Sequence, residues 1–355
     1  MQKDQNNKIR VLIADDSFFM RKLLRETISK DPDIEVVGEA KDGAEAVGEA
    51  IRLKPDVITM DFNMPKMKGD VATKAITENP DNVSSILMVS AYTKQDAVET
   101  LESMRAGASD FMMKPSGELS LDINTVSDEL IRKIKVVSKS RSIRFKELKY
   151  RTFEKEKKQK KGIIAPKIII IGASTGGPPV VEDILSGLSG DIKAGIVVVQ
   201  HMPSKFTDLF AKRLDRLSLL PIREAKEGDI IEEGQALIIP GDYHAVMKEG
   251  SGLKKAFISL KKKENPKELS PSIDKFMKSA AQVYNKHIVG IILTGMGNDG
   301  TEGVREIKNN GGYVIAQSKE TSAIKSMPMS VVEEGLDDEV LPFNKIANRI
   351  VELSS

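Results

Sequence analysis

The fold of the C-terminal half is decided by residues 167–179, which read KIIIIGASTGGPP. Four successive isoleucines are typical of a strand that is buried on both faces of a sheet. A glycine-rich turn follows them, and the apolar positions of Val180–Leu188 then predict a helix. A buried strand that runs through a tight turn into a helix is the first part of a parallel α/β unit, so an α/β fold is expected.

Further strands are predicted along the same half. Three apolar runs continue the parallel series: Ile196–Val199, Ile288–Leu293 and Tyr313–Ala316. Two other runs adjoin turn signals, Glu233-Gly234 and Pro240-Gly241, and are predicted to be inserted antiparallel strands: Ile230–Pro240 and Tyr243–Met247. Residues 164–355 are therefore expected to form a doubly wound α/β domain with an antiparallel insertion.

A second series of alternating strands and helices precedes this half, over residues 9–138. Amphipathic segments separate five short apolar runs: Val11–Ala14, Ile34–Val37, Val57–Met60, Ile86–Val89 and Phe111–Met113. Because each right-handed crossover must bury its helix against the sheet, this pattern predicts a five-stranded parallel, doubly wound domain. Ligands of such sheets bind at the carboxyl ends of the strands.

The length of 355 residues fits two domains, and the composition excludes several kinds of functional site. Between the domains, Lys139 to Lys161 holds eleven basic and three acidic residues, so 139–163 is interpreted as a charged linker. The absence of cysteine excludes disulfides, thiolate metal sites and a cysteine nucleophile. No apolar run is long enough to span a bilayer and no signal peptide is apparent, so a cytoplasmic protein without membrane insertion is expected.

Polar residues end four of the five N-terminal strands. Asp15 and Asp16 follow the first strand, Asp61 the third, Ser90 the fourth and Lys114 the fifth. Three carboxylates at one edge repel one another unless a cation lies among them, and hard oxygen ligands suit Mg²⁺. Together with Lys114 such an ion would neutralise an incoming phosphoryl group that one carboxylate attacks. Helix caps and turns are the alternative roles for these aspartates.

The C-terminal half contains the elements of a serine hydrolase. Ser174 lies in a G-x-S-x-G sequence between a strand and a helix, where its hydroxyl projects above the sheet. Of the three histidines, His201 follows a strand on the same edge, whereas His244 lies in the inserted region and His287 precedes a strand. Asp299, in a glycine-rich turn beyond another strand, is the candidate that orients the base.

Alternative roles exist for each member of this group. Glycines before a helix also suit a phosphate-binding loop, although neither G-x-G-x-x-G nor G-x-x-x-x-G-K-[ST] is present. His201 would then be a structural histidine, and Asp299 a turn residue. The order Ser, His, Asp also differs from the Ser, Asp, His of the α/β-hydrolases, so a different fold is indicated.

Residues 9–138 resemble a two-component receiver domain over their whole length. The resemblance rests on VLIADDS, MDFNMPKMKGD, VSAYT and DFMMKP, which occur in order at the ends of successive strands. It implies that Asp61 is the phospho-acceptor and that Ser90 and Lys114 contact the phosphoryl group. It also implies an Mg²⁺ cofactor, whose ligands are Asp15, Asp16, Asp61 and Asn63.

Five segments follow one another in the C-terminal half: GASTGGPP, VVVQHMPSKFTDLFAKRL, IIPGDYH, LSPSIDKFM and LTGMGNDGTEG. Together they closely resemble the catalytic domain of the chemotaxis protein-glutamate methylesterases, the CheB family. The family's motifs imply that Ser174, His201 and Asp299 are catalytic, while Thr175 and Met296 support the triad and the oxyanion. They imply hydrolysis of glutamate γ-methyl esters without a cofactor, and deamidation of glutamines by the same acyl transfer.

The resemblance also implies partners and regulation. The expected substrate is the methyl-accepting chemoreceptor, and the expected phosphodonor is the chemotaxis histidine kinase. We hypothesise that the unphosphorylated receiver packs over the esterase site and that a phosphoryl group at Asp61 loosens this contact.

Two rival functions are less consistent with the sequence. A DNA-binding response regulator would need a recognisable helix-turn-helix, and the basic charge is instead concentrated in the linker, so no nucleic-acid partner is expected. A non-catalytic adaptor is disfavoured because all three triad residues are present.

Overall fold

The computed structural model describes residues 8–90, 94–114, 123–140, 162–250, 256–265 and 268–354. Contacts divide the chain into two compact units, Met1–Phe145 and Lys146–Ser355. Residues 141–161 of the predicted linker, residues 91–93 of VSAYT and Pro115 of DFMMKP lie outside the described residues. The domain boundaries at 138 and 164 therefore remain predictions.

The N-terminal unit contains the predicted five-stranded sheet. Its strands are β1 (Ile9–Ala14), β2 (Ile34–Ala40), β3 (Val57–Met60), β4 (Ser85–Ser90) and β5 (Asp110–Met113). They are all parallel and are ordered β2-β1-β3-β4-β5. Strand β2 lies on one side of β1 and strand β3 lies on the other side. The carboxyl ends of β1 and β3 are therefore side by side.

Five helices accompany this sheet among the residues that the structure describes. They are α1 (Phe18–Ile28), α2 (Gly43–Leu53), α3 (Gly69–Glu78), α4 (Lys94–Arg105) and α5 (Ile123–Val137). One core joins α1 and α5 to the sheet: Leu24 and Ile28 of α1 pack with Ile134 of α5 against Val11 and Ile13. The hydroxyl of Ser17 accepts the backbone N–H of Met20 and so caps α1 directly after the two aspartates.

The C-terminal unit is built on a seven-stranded sheet in which every pair is parallel. Its strands are β6 (Ile168–Ala173), β7 (Gly195–Gln200), β8 (Ile222–Glu224), β9 (Ala236–Ile238), β12 (Ile288–Ile292), β13 (Tyr313–Gln317) and β14 (Glu339–Leu341), ordered β14-β13-β12-β6-β7-β9-β8. The central strands are fully buried, as the run of isoleucines predicts. The α/β fold class predicted for both halves is confirmed.

The antiparallel insertion is a separate two-stranded sheet, formed by β10 (Tyr243–Glu249) and β11 (Ala256–Lys262). The prediction that Ile230–Pro240 is also antiparallel holds for Glu232, which forms an isolated antiparallel bridge with Ile164, but it is wrong for the strand within this segment. Its apolar core, β9, pairs in parallel with β7 and β8 in the main sheet. The turn at Gly234 donates its N–H to the carbonyl of Ala194 and so leads into β9, rather than closing a hairpin.

Six α-helices complete the described part of this unit: α6 (Gly177–Ser186), α7 (Ser204–Leu217), α8 (Ile273–Tyr284), α9 (Thr301–Asn309), α10 (Ser326–Glu333) and α11 (Phe343–Leu353). Helix α8 buries Phe276 and Met277 against the strands. No helix among the described residues is long and apolar enough to cross a membrane. The carboxyl ends of β6, β7 and β12, which are adjacent strands in the order β12-β6-β7, meet at one edge of the sheet.

Candidate active site

Asp15, Asp16 and Asp61, the three aspartates predicted to form a site in the N-terminal unit, lie together, as the strand ends predict. Asp15 and Asp61 are buried, with 1% and 5% of their surface exposed, whereas Asp16 is exposed. Each of the three offers a carboxylate oxygen within 4.8 Å of the others. Such a set of hard oxygen donors at the mouth of a site fits a divalent cation of the Mg²⁺ type.

Lys114 connects two of these carboxylates. Its Nζ lies 2.7 Å from Asp15 Oδ2 and 3.0 Å from Asp61 Oδ2. Burial raises the pKa of Asp61 to about 6; Lys114 opposes this effect, and the charges of Asp15 and Asp16 add to it. Burial and the neighbouring carboxylates thus oppose the ionised form of Asp61, and a bound cation would stabilise that form.

The remaining predicted residues of this unit are Ser90 and Asn63. Ser90 is the buried last residue of β4, and its carbonyl accepts the N–H of Lys114 at 2.7 Å. Asn63 is exposed in the loop after Asp61. That loop turns sharply because Gly69 donates its N–H to the carbonyl of Phe62 at 2.8 Å.

In the C-terminal unit, Ser174 directly follows β6 and is half-buried. Its N–H donates to the carbonyl of Thr294 at 3.1 Å, and its carbonyl accepts the N–H of Gly177 at 2.9 Å. Gly176 has φ +74°, and a Cβ at this position would lie 2.6 Å from Ala323 Cβ. Only glycine fits such a left-handed turn under close packing, so the turn presents Ser174 at the start of α6.

His201 is the neighbour of Ser174 across the sheet. Its N–H donates to the carbonyl of Ala173 at 3.0 Å, which extends the β6–β7 ladder by one step and sets His201 beside Ser174. The side chain of His201 contacts Asp299, with 2.9 Å between Nε2 and Oδ2. The other ring nitrogen, Nδ1, is buried and has no hydrogen-bond partner among the described residues.

The carboxylate of Asp299 binds the N-terminus of α8. Oδ2 accepts the N–H of Ile273 at 2.8 Å, and Oδ1 accepts that of Asp274 at 3.0 Å and the hydroxyl of Ser272 at 3.3 Å. Burial by itself would raise the pKa of Asp299, but His201 and these N–H groups outweigh it and hold the pKa at about 2. Asp299 is therefore ionised at neutral pH.

The two predicted supporting residues border the same site. Thr175 is buried and its carbonyl accepts the hydroxyl of Thr294 at 3.0 Å. Met296 is partly buried in the turn after β12. The preceding residue, Gly295, lies so close to the nucleophile turn that a Cβ there would be 2.7 Å from Ser174 Cβ.

Sequence reasoning missed Gln200, the last residue of β7, which is 1% exposed. Its Nε2 donates to the carbonyl of Ser174 at 2.9 Å and to that of His201 at 3.2 Å. Two carbonyl partners identify this atom as the amide nitrogen. An uncharged polar residue that ends the apolar strand GIVVVQ, directly before His201, was the signal available in the sequence.

His244, to which no role was assigned, lies at the start of β10 and is buried. Its Nε2 is 3.0 Å from Glu268 Oε1, and Lys275 Nζ is 2.6 Å from the same oxygen. The contact joins the inserted hairpin to the segment before α8.

The chemistry available at this edge follows from one arrangement. Ser174 is the neighbour, across the strand ends, of a histidine whose Nε2 is bound to an ionised carboxylate and whose Nδ1 has no partner within the described part of the chain. Such a histidine can take a proton from the serine and return it to a leaving group.

Comparison with known proteins gives two family matches. The CheB methylesterase model matches residues 169–350, and the response regulator receiver domain model matches residues 11–123. These ranges contain, respectively, the site around Ser174 and the acidic cluster around Asp61.

Curated relatives match nearly the whole chain. A protein-glutamate methylesterase/protein-glutamine glutaminase of Pyrococcus horikoshii is 42% identical, over 97% of this chain and 93% of its own. The protein of the same name from Thermotoga maritima is 43% identical, over 97% and 98% of the two chains. The crystal structure of the T. maritima CheB methylesterase catalytic domain is 43% identical to this chain, with a TM-score of 0.50, and covers 53% of this chain and 98% of its own. This chain therefore belongs to the CheB methylesterase family, with a response regulator receiver domain in front of the methylesterase domain.

Proposed function

We propose that the chain is a protein-glutamate methylesterase and protein-glutamine glutaminase that acts on chemoreceptors, in which Ser174, His201 and Asp299 form the catalytic triad. The observation that carries this proposal is the contact between His201 and an ionised Asp299 beside Ser174. The names of the relatives supply the substrate class.

In the proposed reaction His201 Nδ1 takes the proton of the Ser174 hydroxyl while Oγ attacks the carbonyl carbon of a glutamyl methyl ester. The tetrahedral intermediate collapses, the protonated Nδ1 donates to the methoxy oxygen, and methanol leaves. Water then attacks the acyl-enzyme with His201 again as the base, which releases the glutamate side chain and restores Ser174. Asp299 holds the ring through Nε2 and stabilises the imidazolium. The steps need no cofactor.

Thr175 and Met296 are proposed to support the oxyanion of the intermediate. Both flank Ser174, one in the turn that begins α6 and the other in the turn after β12. Deamidation of a glutamine follows the same steps with ammonia as the leaving group, so one triad serves both substrates.

The receiver domain is proposed to take a phosphoryl group on Asp61 from a chemotaxis histidine kinase. Mg²⁺ would be held by Asp15, Asp16, Asp61 and the backbone of Asn63, and it would neutralise negative charge when bound. Ser90 and Lys114 would contact the phosphoryl oxygens. We further propose that this modification relieves an inhibition of the esterase by the receiver, and that the protein acts in the cytoplasm without a nucleic-acid partner.

A fluorophosphonate probe, which modifies activated serines, tests the triad. The full chain should be labelled at Ser174, as located by peptide mass spectrometry, and much more slowly after His201→Ala or Asp299→Asn. Labelling at another serine, or equal rates in all three proteins, would contradict the proposed triad.

Regulation has its own test in the rate of methanol release with and without acetyl phosphate and Mg²⁺. The wild-type rate should rise on addition of both, and Asp61→Asn should not respond. A response that persists in Asp61→Asn would show that the phospho-acceptor is a different residue.

A further inference from the structure

Asp274 is the second residue of α8 and contacts Asp299. Its backbone N–H donates to Asp299 Oδ1 at 3.0 Å, one of the two main-chain bonds that hold the carboxylate of Asp299. Asp274 is also a side chain for which the sequence and the family comparison give no role.

The carboxylate of Asp274 in turn binds the segment that follows Asp299. Its Oδ1 accepts the N–H of Gly300 at 2.9 Å and the N–H of Gly303 at 2.6 Å. Gly300 directly follows Asp299 and is the N-cap residue of α9, and Gly303 is the third residue of that helix. The two contacts are reciprocal. Asp299, which precedes α9, binds N–H groups at the start of α8, and Asp274, which is in α8, binds N–H groups at the start of α9.

Two glycines allow the close packing that these hydrogen bonds need. A Cβ at Gly303 would lie 2.6 Å from Met277 Cβ and 3.3 Å from Asp274 Cα. Gly300 has φ +107°, and a Cβ there would lie 2.5 Å from Ile292 Cδ1. Helix α9 can therefore approach α8 closely enough for its first N–H groups to reach Asp274.

The electrostatics agree with this geometry. Burial, and then the charge of Asp299, raise the pKa of Asp274 to about 6. The two carboxyl groups are therefore close enough to influence each other's ionisation, and Asp299 is the one that stays charged.

We infer that Asp274 is a positioning residue of the esterase: by binding the N–H groups of Gly300 and Gly303, it fixes the turn that aims Asp299 at His201. The inference rests on the proposed triad. Asp274 does not touch the reacting atoms, and it acts only through Asp299. Without its carboxylate the turn loses two of its anchors, and the hydrogen bond at 2.9 Å between Asp299 and His201 loses its fixed geometry.

The test compares variants of the full chain by steady-state methanol release from methylated chemoreceptor membranes. Asp274→Ala should lower kcat by about 10–100-fold with KM unchanged, the range typical of residues that orient a catalytic group. Asp274→Asn keeps an acceptor oxygen for both N–H groups and should stay within about threefold of wild type. Asp274→Glu shifts the carboxylate by one methylene and should behave like Asp274→Ala, which provides a second variant if the alanine protein does not fold.

A matched control separates this role from the general effect of removing a carboxylate that binds a backbone N–H group. Asp338 also accepts a backbone N–H, that of Val314 at 2.8 Å, but at the opposite edge of the same sheet. Asp338→Ala should lower the unfolding temperature and leave kcat unchanged. In an Asp299→Ala background, Asp274→Ala should cause no further loss of kcat, because the residue it acts through is absent.

Three results would overturn the inference. The first is a kcat within about twofold of wild type for a folded Asp274→Ala or Asp274→Glu protein. The second is a loss of kcat that is equally large in the wild-type and Asp299→Ala backgrounds, which would indicate a general structural role. If Ser174→Ala and Asp299→Ala themselves keep the wild-type rate, the proposed triad fails and the inference fails with it.

Discussion

His201 binds Asp299 through Nε2, at 2.9 Å, and its Nδ1 is buried without a hydrogen-bond partner in the described part of the chain. In the proposed triad the ring would therefore be used in the opposite sense from the template triad of the chymotrypsin type, in which Nδ1–H bonds to the aspartate and Nε2 takes the serine proton. Both arrangements leave one nitrogen with a lone pair for the nucleophile. In the proposed mechanism that nitrogen is Nδ1.

This relationship predicts the tautomer of His201. The neutral ring should carry its proton on Nε2, where Asp299 accepts it, and should have an unprotonated Nδ1. Nitrogen-15 NMR of the histidine-labelled protein can measure this, since the chain has only three histidines and His201→Gln identifies the signal. A proton on Nδ1 of the resting enzyme would contradict the assignment of Nδ1 as the base.

Gln200 predicts a second effect. Gln200→Leu removes the N–H donor shared by the carbonyls of Ser174 and His201, so the geometry between nucleophile and base should loosen. The carbonyl of Ser174 keeps the N–H of Gly177, whereas the carbonyl of His201 loses the donor Nε2 of Gln200. Loss of such a donor costs about 1–3 kcal/mol, which corresponds to a fall in kcat of about 5–150-fold if the loss appears in the transition state.

Gln235→Leu is the control for this substitution. Gln235 is a partly buried glutamine at the opposite edge of the sheet, just before β9. It should leave the rate of methanol release within about twofold of wild type. Equal losses from the two glutamine substitutions would show that Gln200 has no special relation to the site.

Two glycine-to-alanine substitutions within helices should change the free energy of unfolding in opposite directions, because one glycine is closely packed and the other is not. At Gly303 the added methyl group would meet Met277, and the free energy of unfolding should fall by about 1–3 kcal/mol. At Gly48 in α2 nothing lies within 4 Å, so alanine should raise it by about 0.5–1 kcal/mol. Urea unfolding followed by circular dichroism measures both, and stabilisation by Gly303→Ala would refute the packing argument.

The raised pKa of Asp274 predicts how stability depends on pH. Because the folded-state pKa of about 6 lies above the ordinary aspartate pKa of 3.8, the folded protein binds more protons than the unfolded chain between these values. The contribution of this group to stability should therefore fall as pH rises from about 4 to about 6, by about 1–3 kcal/mol in total. Asp274→Asn should lack this component.

The comparison is made by urea unfolding at pH 5 and pH 7. The stability difference between Asp274→Asn and wild type should shift in favour of the variant at the higher pH. A shift in the reverse direction would show that Asp274 gains stability from being ionised.

Much of this fold could be predicted because its strands are buried on both faces. Runs such as Ile168–Ile171 are typical of a central strand, and their alternation with amphipathic helices then indicates a parallel sheet. The three-residue strands β8, β9 and β14 are too short for a periodic pattern, and so β9 was assigned to the wrong sheet.

The candidate site divides in the same way. Residues at strand ends, such as Ser174 and His201, could be placed because parallel strands bring their carboxyl ends to one edge. Asp274 could not, since its role depends on how closely α9 approaches α8, and that distance is set by tertiary packing at Gly303. The choice of Nε2 for Asp299 also depends on the direction from which α8 presents that carboxylate.

The most direct test of the account is the initial rate of methanol release from methylated chemoreceptor membranes by the wild-type chain and by Ser174→Ala. The wild type should release methanol, and Ser174→Ala should be slower by at least about 10³-fold while binding the same membranes. Release at the wild-type rate by Ser174→Ala would contradict the nucleophile, and no release by the wild-type chain, with or without acetyl phosphate and Mg²⁺, would contradict the proposed esterase activity on this substrate.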